Sequence, residues 1–372
     1  MDFNLSDDRR MLSETLSRFL GDKYSIEKRH ECAASDDGFS RDMWNEFAEL
    51  GIVGALFSEE NGGFGGGGED INVVFEQLGR ALVVEPFLPT LLAGSLISEL
   101  GSDAQKEMLE GVISGEKLIA FAHGEPGSRY EIERVTAKAE KAGDGWQLNG
   151  NKSVVLGGGA ADTLIISART SGDEDSANGI SLFVVDAGAA GLDVRSFGTV
   201  DGYPAAEIAM RNVSGELLGN EGEAFEAIEK AYGRATLAVC AEAMGAMDVA
   251  KDFTVEYMHQ RKQFGVEIGK FQVLQHRMAD VLIELEQMRS SIINASGHMN
   301  DDRVIRERMV SSAKHLAGRI GRQVAEEAIQ IHGGNGMTWE YAVSHYAKRI
   351  IMIDHLFGDT DHHLERYISI GA

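Results

Sequence analysis

The spacing of apolar positions changes twice along this chain. Over residues 1 to about 116 it follows a helical period. Ser6 suits an N-cap, with Asp7 and Asp8 in the first turn, where the helix dipole favours negative charge. Leu12, Leu16, Phe19 and Leu20 then share one face, and Met43, Trp44, Phe47, Leu50 and Ile52 form a second buried stripe. The run from Asn61 to Gly68 holds too many glycines for an element and reads as a flexible surface loop. A further helix follows with Val73, Val74, Phe75, Leu78 and Leu82.

Near Lys117 the pattern becomes one of short strands. Leu118 to Ala122 is an apolar run that ends at Gly124-Glu125-Pro126-Gly127. Val135 to Lys141, the turn Gly143-Asp144-Gly145, Trp146 to Leu148, the turn Asn149-Gly150 and Ser153 to Leu156 follow. Asp-Gly and Asn-Gly between short strands are strong hairpin signals. Thr163 to Ser167, Ile180 to Val185 and Ala206 to Met210 continue the strands, with a polar, mobile loop expected from Ser171 to Gly179. From about Gly222 the helical period returns, and Ala224 to Met258, Phe271 to Met299 and Arg303 to Ile331 read as long helices. No proline follows Pro204, so this half lacks the strongest helix breaker. Methionines such as Met244 and Met247 read as packing positions. The pattern predicts an α+β chain: a helical domain over 1–116, a β domain over 117–218 and a helical domain over 219–372. It lacks the alternating rhythm of a Rossmann fold.

Composition narrows the function classes. The 372 residues include 35 Lys or Arg and 59 Asp or Glu, a net charge of −24. Nucleic acid and anionic membrane surfaces would repel such a chain, and no apolar run is long enough to span a bilayer, so no nucleic acid partner and no membrane insertion are expected. An anionic ligand must be met by local cations or helix N-termini. Cys32 and Cys240 form no CxxC pair, which argues against a disulfide framework or a zinc site. Met1-Asp2-Phe3-Asn4 opens without the basic and apolar regions of a signal peptide, so a cytoplasmic location is expected.

Among candidate motifs, the glycine run lacks the Lys-Ser/Thr of a phosphate loop. Asp359-Thr360-Asp361-His362-His363 has metal-ligand residue types, but neighbouring histidines on a helix point about 100° apart, and the spacing is not that of zinc. Two segments stand out. Arg261-Lys262-Gln263-Phe264-Gly265 puts a guanidinium and an amide at a glycine turn between long helices, a group able to clamp a diphosphate. Gln330-Ile331-His332-Gly333-Gly334-Asn335-Gly336 ends a helix at glycines, where backbone can approach a ligand. Spacing alone leaves two ordinary helix C-caps equally open.

With these segments, the Gly-Glu-Pro-Gly at 124–127, the Gly-Asp-Gly-Trp-Gln-Leu-Asn-Gly-Asn-Lys at 143–152 and the order α, β, α, nearly the whole chain resembles the acyl-CoA dehydrogenase family. More narrowly it resembles the small subunits of two-component enzymes such as pimeloyl-CoA dehydrogenase. The resemblance implies FAD, an acyl-CoA substrate, oxidation to the 2,3-enoyl-CoA and an electron acceptor flavoprotein. It also implies an oligomer in which FAD crosses a subunit interface. Arg261, Gln263, Phe264, Gln330 and Gly334 match the family's contacts to the ADP half of FAD.

The flavin-ring half departs from the family pattern. The expected Thr is Gly124, the Gly-Ser-Asp is absent with Tyr130 at the serine, and Trp-x-Thr reads Val154-Val155-Leu156. The base position is Phe357, the alternative position on the first C-terminal helix is Ala235, and Asp359 and Glu242 are weak substitutes. The resemblance therefore points to the base-lacking partner of a catalytic acyl-CoA dehydrogenase subunit in a heteromer. Three alternatives stand beside it: a self-sufficient homomer with a relocated base, a base-free CoA-thioester flavoenzyme, and a non-redox structural subunit.

Overall fold

A computed structural model describes residues 5–143 and 145–371. Met1, Asp2, Phe3, Asn4, Ala372 and Asp144, the middle residue of the expected Gly-Asp-Gly turn, lie outside the described residues. The first stretch is helical: α1 (Asp7–Lys23), α2 (Ile26–Ala33), α3 (Arg41–Glu49), α4 (Gly68–Ala81), α5 (Phe87–Leu100), α6 (Asp103–Lys106) and α7 (Met108–Ile113). Seven strands follow: β1 (Ile119–Ala122), β2 (Lys138–Ala142), β3 (Gly145–Leu156), β4 (Thr163–Arg169), β5 (Ile180–Asp186), β6 (Leu192–Gly198) and β7 (Pro204–Leu218). The rest comprises α8 (Phe225–Gln260), the two-residue strands β8 (Lys262–Gln263) and β9 (Val266–Glu267), α9 (Gln272–Gly297), α10 (Arg303–His332), α11 (Val343–Asp354) and α12 (Thr360–Ser369). The class is α+β, as the pattern implied.

The chain forms two compact units that interleave along the sequence. The unit of residues 30–66 and 84–235 contains the sheet. Its strand order is β1-β4-β2-β3-β7-β5, with β6 on β7, and β5 also bonds to β4, so the sheet closes on itself. Leu148, Leu164, Ile166, Phe183, Ile208 and Val213 fill its core.

Three local expectations are corrected in this unit. Asn149-Gly150 is not a turn, because β3 runs straight through it to pair with β7 across a bulge. Asn149 Oδ1 accepts from Asn212 N at 2.9 Å, and Gly150, at φ 141°, leaves no room for a Cβ, which would lie 2.7 Å from Ala137 Cα. The long ladder outweighs the local turn chemistry. The loop from Ser171 to Gly179 is organised, not loose: the Arg169 guanidinium donates to the carbonyls of Glu133, Val135, Glu174, Ser176 and Asn178 at 2.8–3.1 Å. The glycine run is likewise bonded, with Gly63 N donating to Ser58 O at 2.9 Å and Gly65 N to Phe57 O at 2.8 Å. A Cβ on Gly63 would lie 2.2 Å from Phe57 O, so glycine is there for close backbone approach.

The other unit, residues 1–29, 67–83 and 236–372, is helical. On α9, Met278, Val281, Leu285, Met288, Ile292 and Ala295 are buried at steps of three and four, the stripe expected of one packed face. Met244 and Met247 are sealed in the core, as packing positions should be.

Candidate functional site

The β8–β9 hairpin interrupts two long helices at an exposed turn. Phe264 and Gly265, its two central residues, both have positive φ, 53° and 82°. Two such residues in a two-residue loop give the turn that matches strand twist. Arg261 is fixed through its backbone: its N–H donates to Tyr257 O and its carbonyl accepts from Ile268 N, both at 2.8 Å. Its guanidinium is exposed and forms no ion pair with any described residue. Gln263 is exposed beside it, and the Phe264 ring is 93% exposed, edge-on to Phe271.

The α10 end supplies the second segment. Gly333, at φ 60°, starts a 3-10 turn over Gly333–Met337. Gln330 and Gly334 are exposed, and nothing lies within 4 Å of where a Cβ on Gly334 would stand. Tyr257 joins the two segments. Its ring lies 4.5 Å from that of His332, and its hydroxyl accepts from Asn335 Nδ2 at 3.5 Å. Burial lowers the His332 pKa, and its Nδ1–H donates to Ala328 O at 2.7 Å, so the imidazole is neutral. Arg261, Lys262 and Lys270 are exposed and Glu267 is the one acid between residues 261 and 270, so this stretch is cationic on a chain of −24. An unpaired guanidinium, an exposed aromatic ring and an open glycine suit the diphosphate and base of a nucleotide.

The base position tells a different story. Between α11 and α12, Phe357 and Gly358 sit at φ 58° and 113°. The Phe357 carbonyl accepts from His363 Nε2 at 2.9 Å, and the buried Lys314 ammonium donates to the carbonyls of Asp354 and Gly358. Asp359 caps α12, accepting from His362 N at 2.9 Å. Glu242 is committed to Arg349, with Nε–Oε1 at 2.6 Å and Nη2–Oε2 at 2.7 Å, both side chains nearly sealed from solvent. Ala235 is fully buried. Asp359 and Glu242, the two carboxylates considered as substitute bases, therefore each have a structural task, and neither is poised as a proton acceptor. Lys314 escaped the sequence reading because its partners are backbone carbonyls far along the chain, whereas His363, seen there only among metal-ligand residue types, is buried with its ring nitrogens on Phe357 O and Ser311 Oγ.

In the sheet unit lie Gly124 and Val154, the positions that the resemblance would set against a flavin ring. Gly124 is half-buried, and its carbonyl accepts from Ser153 N at 2.8 Å. Val154 is 52% exposed at φ 52°, and Leu156 is half-buried. Behind them lies a fully buried ion pair that spacing did not reveal. Lys152 Nζ meets Glu125 Oε1 at 2.7 Å and also donates to His123 O and Ser167 Oγ. Burial works to raise the Glu125 pKa, but Lys152 and the donors of Thr136 outweigh it, and the carboxylate stays ionised. Burial pushes Lys152 down to about 8 against the pull of Glu125. Burial, then the nearby Lys152 charge, pushes His123 down to about 3. This cluster fixes backbone; no side chain there is offered to a ligand.

Comparison with known proteins agrees with the architecture. The acyl-CoA dehydrogenase N-terminal, middle and C-terminal domain models match residues 6–116, 120–213 and 222–368. The 3-(aryl)acrylate reductase of Clostridium sporogenes is 30% identical over 328 residues, 85% of this chain and 86% of that protein. The solved butyryl-CoA dehydrogenase of Megasphaera elsdenii superposes with a TM-score of 0.91 at 27% identity, covering 99% of each chain. A variant of the Tcur3481-Tcur3483 steroid ACAD superposes with a TM-score of 0.89 at 28% identity, covering 98% of this chain and 97% of that one. No helix among the described residues is long and apolar enough to cross a membrane.

Proposed function

Because the chain belongs to the acyl-CoA dehydrogenase family, we propose that it is the base-lacking subunit of a heteromeric, FAD-dependent acyl-CoA dehydrogenase. The family makes it an oxidoreductase acting on CH–CH bonds with FAD as cofactor. When bound, FAD would supply the hydride acceptor for oxidation of an acyl-CoA to the 2,3-enoyl-CoA. This chain's part is to hold the ADP half. Arg261 would hold the diphosphate, and Gln263, Phe264, Gln330 and Gly334 would hold the rest of the ADP half. The ring and the base belong to a catalytic partner, and an electron acceptor flavoprotein reoxidises the pair.

One observation carries this reading: residue 357 is a phenylalanine in a fixed turn, while Arg261 is exposed and without an acid partner among the described residues. A chain that had lost its whole cofactor site would have no use for an unpaired cation there. A self-sufficient homomer with a relocated base would need Asp359 or Glu242, and both are engaged elsewhere. A base-free CoA-thioester flavoenzyme would explain Phe357 but not Gly124, Val154 and Leu156. A non-redox structural subunit would not need the cationic hairpin.

The test is flavin stoichiometry. The chain purified alone should release much less than one FAD per chain, read by absorbance. Co-expressed with a base-containing family member, it should give one FAD per pair. One tight FAD per isolated chain would sink the proposal.

A further inference from the structure

A cavity of about 250 Å³ opens among α1, α4, α8 and α9 in the helical unit, and no residue of the nucleotide clamp lines it. A cavity of roughly 150 Å³ already holds a benzene-sized guest, so this one has room for a small organic ligand. Side-chain ties frame it. Arg9 Nε on α1 donates to Asp70 Oδ1 on α4 at 2.7 Å, and one turn further on Gln77 Nε2 donates to Ser13 Oγ at 3.2 Å. Arg289 on α9 donates to Glu76 Oε1 at 2.9 Å and to Asp248 Oδ2 on α8 at 2.6 Å. A guest therefore enters walls that are ordered before it arrives, which lowers the entropy cost of binding.

The lining has two characters. Val73, Met244 and Ile292 are buried and give it apolar surface. Along α4, Glu69, Asn72 and Glu76 line it at steps of three and four, so they form one row on one helix face. Glu69 meets Arg9 through Oε2, and Glu76 meets Arg289 through Oε1. That leaves Glu69 Oε1, Glu76 Oε2 and the whole Asn72 carboxamide without a partner among the described residues. Charge decides the sign of the guest. Arg9 faces Glu69 and Asp70, and Arg289 faces Glu76 and Asp248. Asp248 is shared with Arg80 and Lys251, but even with Asp248 left out the two guanidiniums face three acids. An anion would enter a negative site on a chain of −24, whereas an ammonium finds open carboxylate oxygens. Glu69 and Glu76 stand about 10 Å apart along the helix axis, so they suit the two ends of one linear molecule.

We propose that this cavity binds a linear aliphatic diamine or longer polyamine, with one ammonium on Glu69, another on Glu76, Asn72 between them and the methylenes on Val73 and Ile292. The row supplies acceptors for the N–H donors, and the apolar surface supplies burial for the chain that joins them. The site is independent of the two-chain reading, because it uses neither the hairpin nor the sheet unit. A guest held among α1, α4 and α9 binds only the folded chain, so it raises the unfolding temperature.

The experiment titrates the full chain with putrescine, cadaverine and spermidine by calorimetry at fixed ionic strength, beside n-butylamine, butyrate and leucine. One site per chain is expected. The best diamine should bind at least about tenfold more tightly than n-butylamine, the worth of a second charged hydrogen bond. The thermal midpoint should rise with diamine concentration. Asn72→Phe fills the cavity and removes no hydrogen bond among the described residues, so it should abolish binding with an unchanged far-ultraviolet spectrum. Asn72→Leu removes the amide at similar size and should weaken binding by at least about fivefold. Diamine binding that ignores both variants is attraction to the acidic surface and overturns the site. Tighter binding of butyrate or leucine overturns the choice of a cation, and n-butylamine that matches the diamines overturns the two-ended fit. Neither heat nor a thermal shift with any amine at millimolar concentration overturns the proposal outright.

Discussion

Replacing Glu242 by Gln separates a structural carboxylate from a chemical one. The Glu242–Arg349 pair is bidentate, with bonds of 2.6 and 2.7 Å, and each side chain is within 4% of complete burial. The amide keeps the volume but removes the charge and one acceptor, so the guanidinium stays buried without a counter-ion. Breaking one side of such a pair costs about 3–5 kcal/mol. Against a total stability on the order of 5–15 kcal/mol, that is a large fraction. Urea unfolding followed by circular dichroism should show the loss, and thermal unfolding should shift down by roughly 5–10 °C. The double change Glu242→Leu with Arg349→Met removes both charges and should recover most of the loss, because the desolvation of two ions is avoided as well. A Glu242→Gln protein within about 1 kcal/mol of the parent would mean that the pair contributes little. If that protein also lost turnover in the assembled complex, Glu242 would be a base after all.

Three further outcomes are expected. Arg261→Ala should weaken FAD binding to the assembled pair by roughly one to two powers of ten, the equivalent of a charged hydrogen bond of about 1.5–3 kcal/mol, measured by flavin titration; unchanged affinity with intact assembly would remove Arg261 from the site. Asp359→Ala should cost about 1 kcal/mol as a lost N-cap and leave turnover of the pair unaltered, whereas abolished turnover at normal stability would make Asp359 the base. Burial, with Lys314 nearby, pushes the His363 pKa down to about 2, and burial pushes His123 to about 3. Both are depressed, so the unfolded chain takes up these protons first. Their stabilisation is present above about pH 6.5 and is lost as pH falls, by up to ~1.4 kcal/mol per pH unit for each histidine. His363→Gln should remove one histidine's share of that slope in urea unfolding between pH 7 and 4.5, and an unchanged slope would count against the assignment.

The sequence shows some of this molecule and hides the rest for physical reasons. The long C-terminal helices were legible because one buried stripe repeats at three and four residues, as in Met278, Val281, Leu285 and Met288. Strand β6 was not, because its side chains are half-buried at best and show no clean alternation of core and solvent. Asn149-Gly150 misled because a two-residue turn signal is local, whereas the pairing of β3 with β7 joins residues 49 to 69 positions apart. The fixed loop around Arg169 looked mobile because its acceptors are carbonyls, which have no sequence identity. In the candidate site, Arg261 and Phe264 were readable as a motif. Glu242 and Arg349 lie 107 residues apart, so their mutual neutralisation could only come from the fold.

Charge explains why half of a cofactor site can be kept apart from the other half. At physiological salt the Debye length is about 8 Å, so a net charge of −24 spread over the whole chain is screened beyond its immediate neighbourhood. What a diphosphate meets is the local field at the hairpin, where Arg261, Lys262 and Lys270 outnumber Glu267. That field needs only backbone anchoring, supplied by Tyr257 and Ile268, and no help from the sheet unit. The flavin ring has the opposite requirement. On the proposed reading it would need shaped contacts from the sheet unit, where Gly124 offers no side chain and the Val154 side chain no donor. On the proposed reading, substitution in the sheet unit removes the ring site while the nucleotide clamp survives, and that clamp has a use where another chain brings the ring.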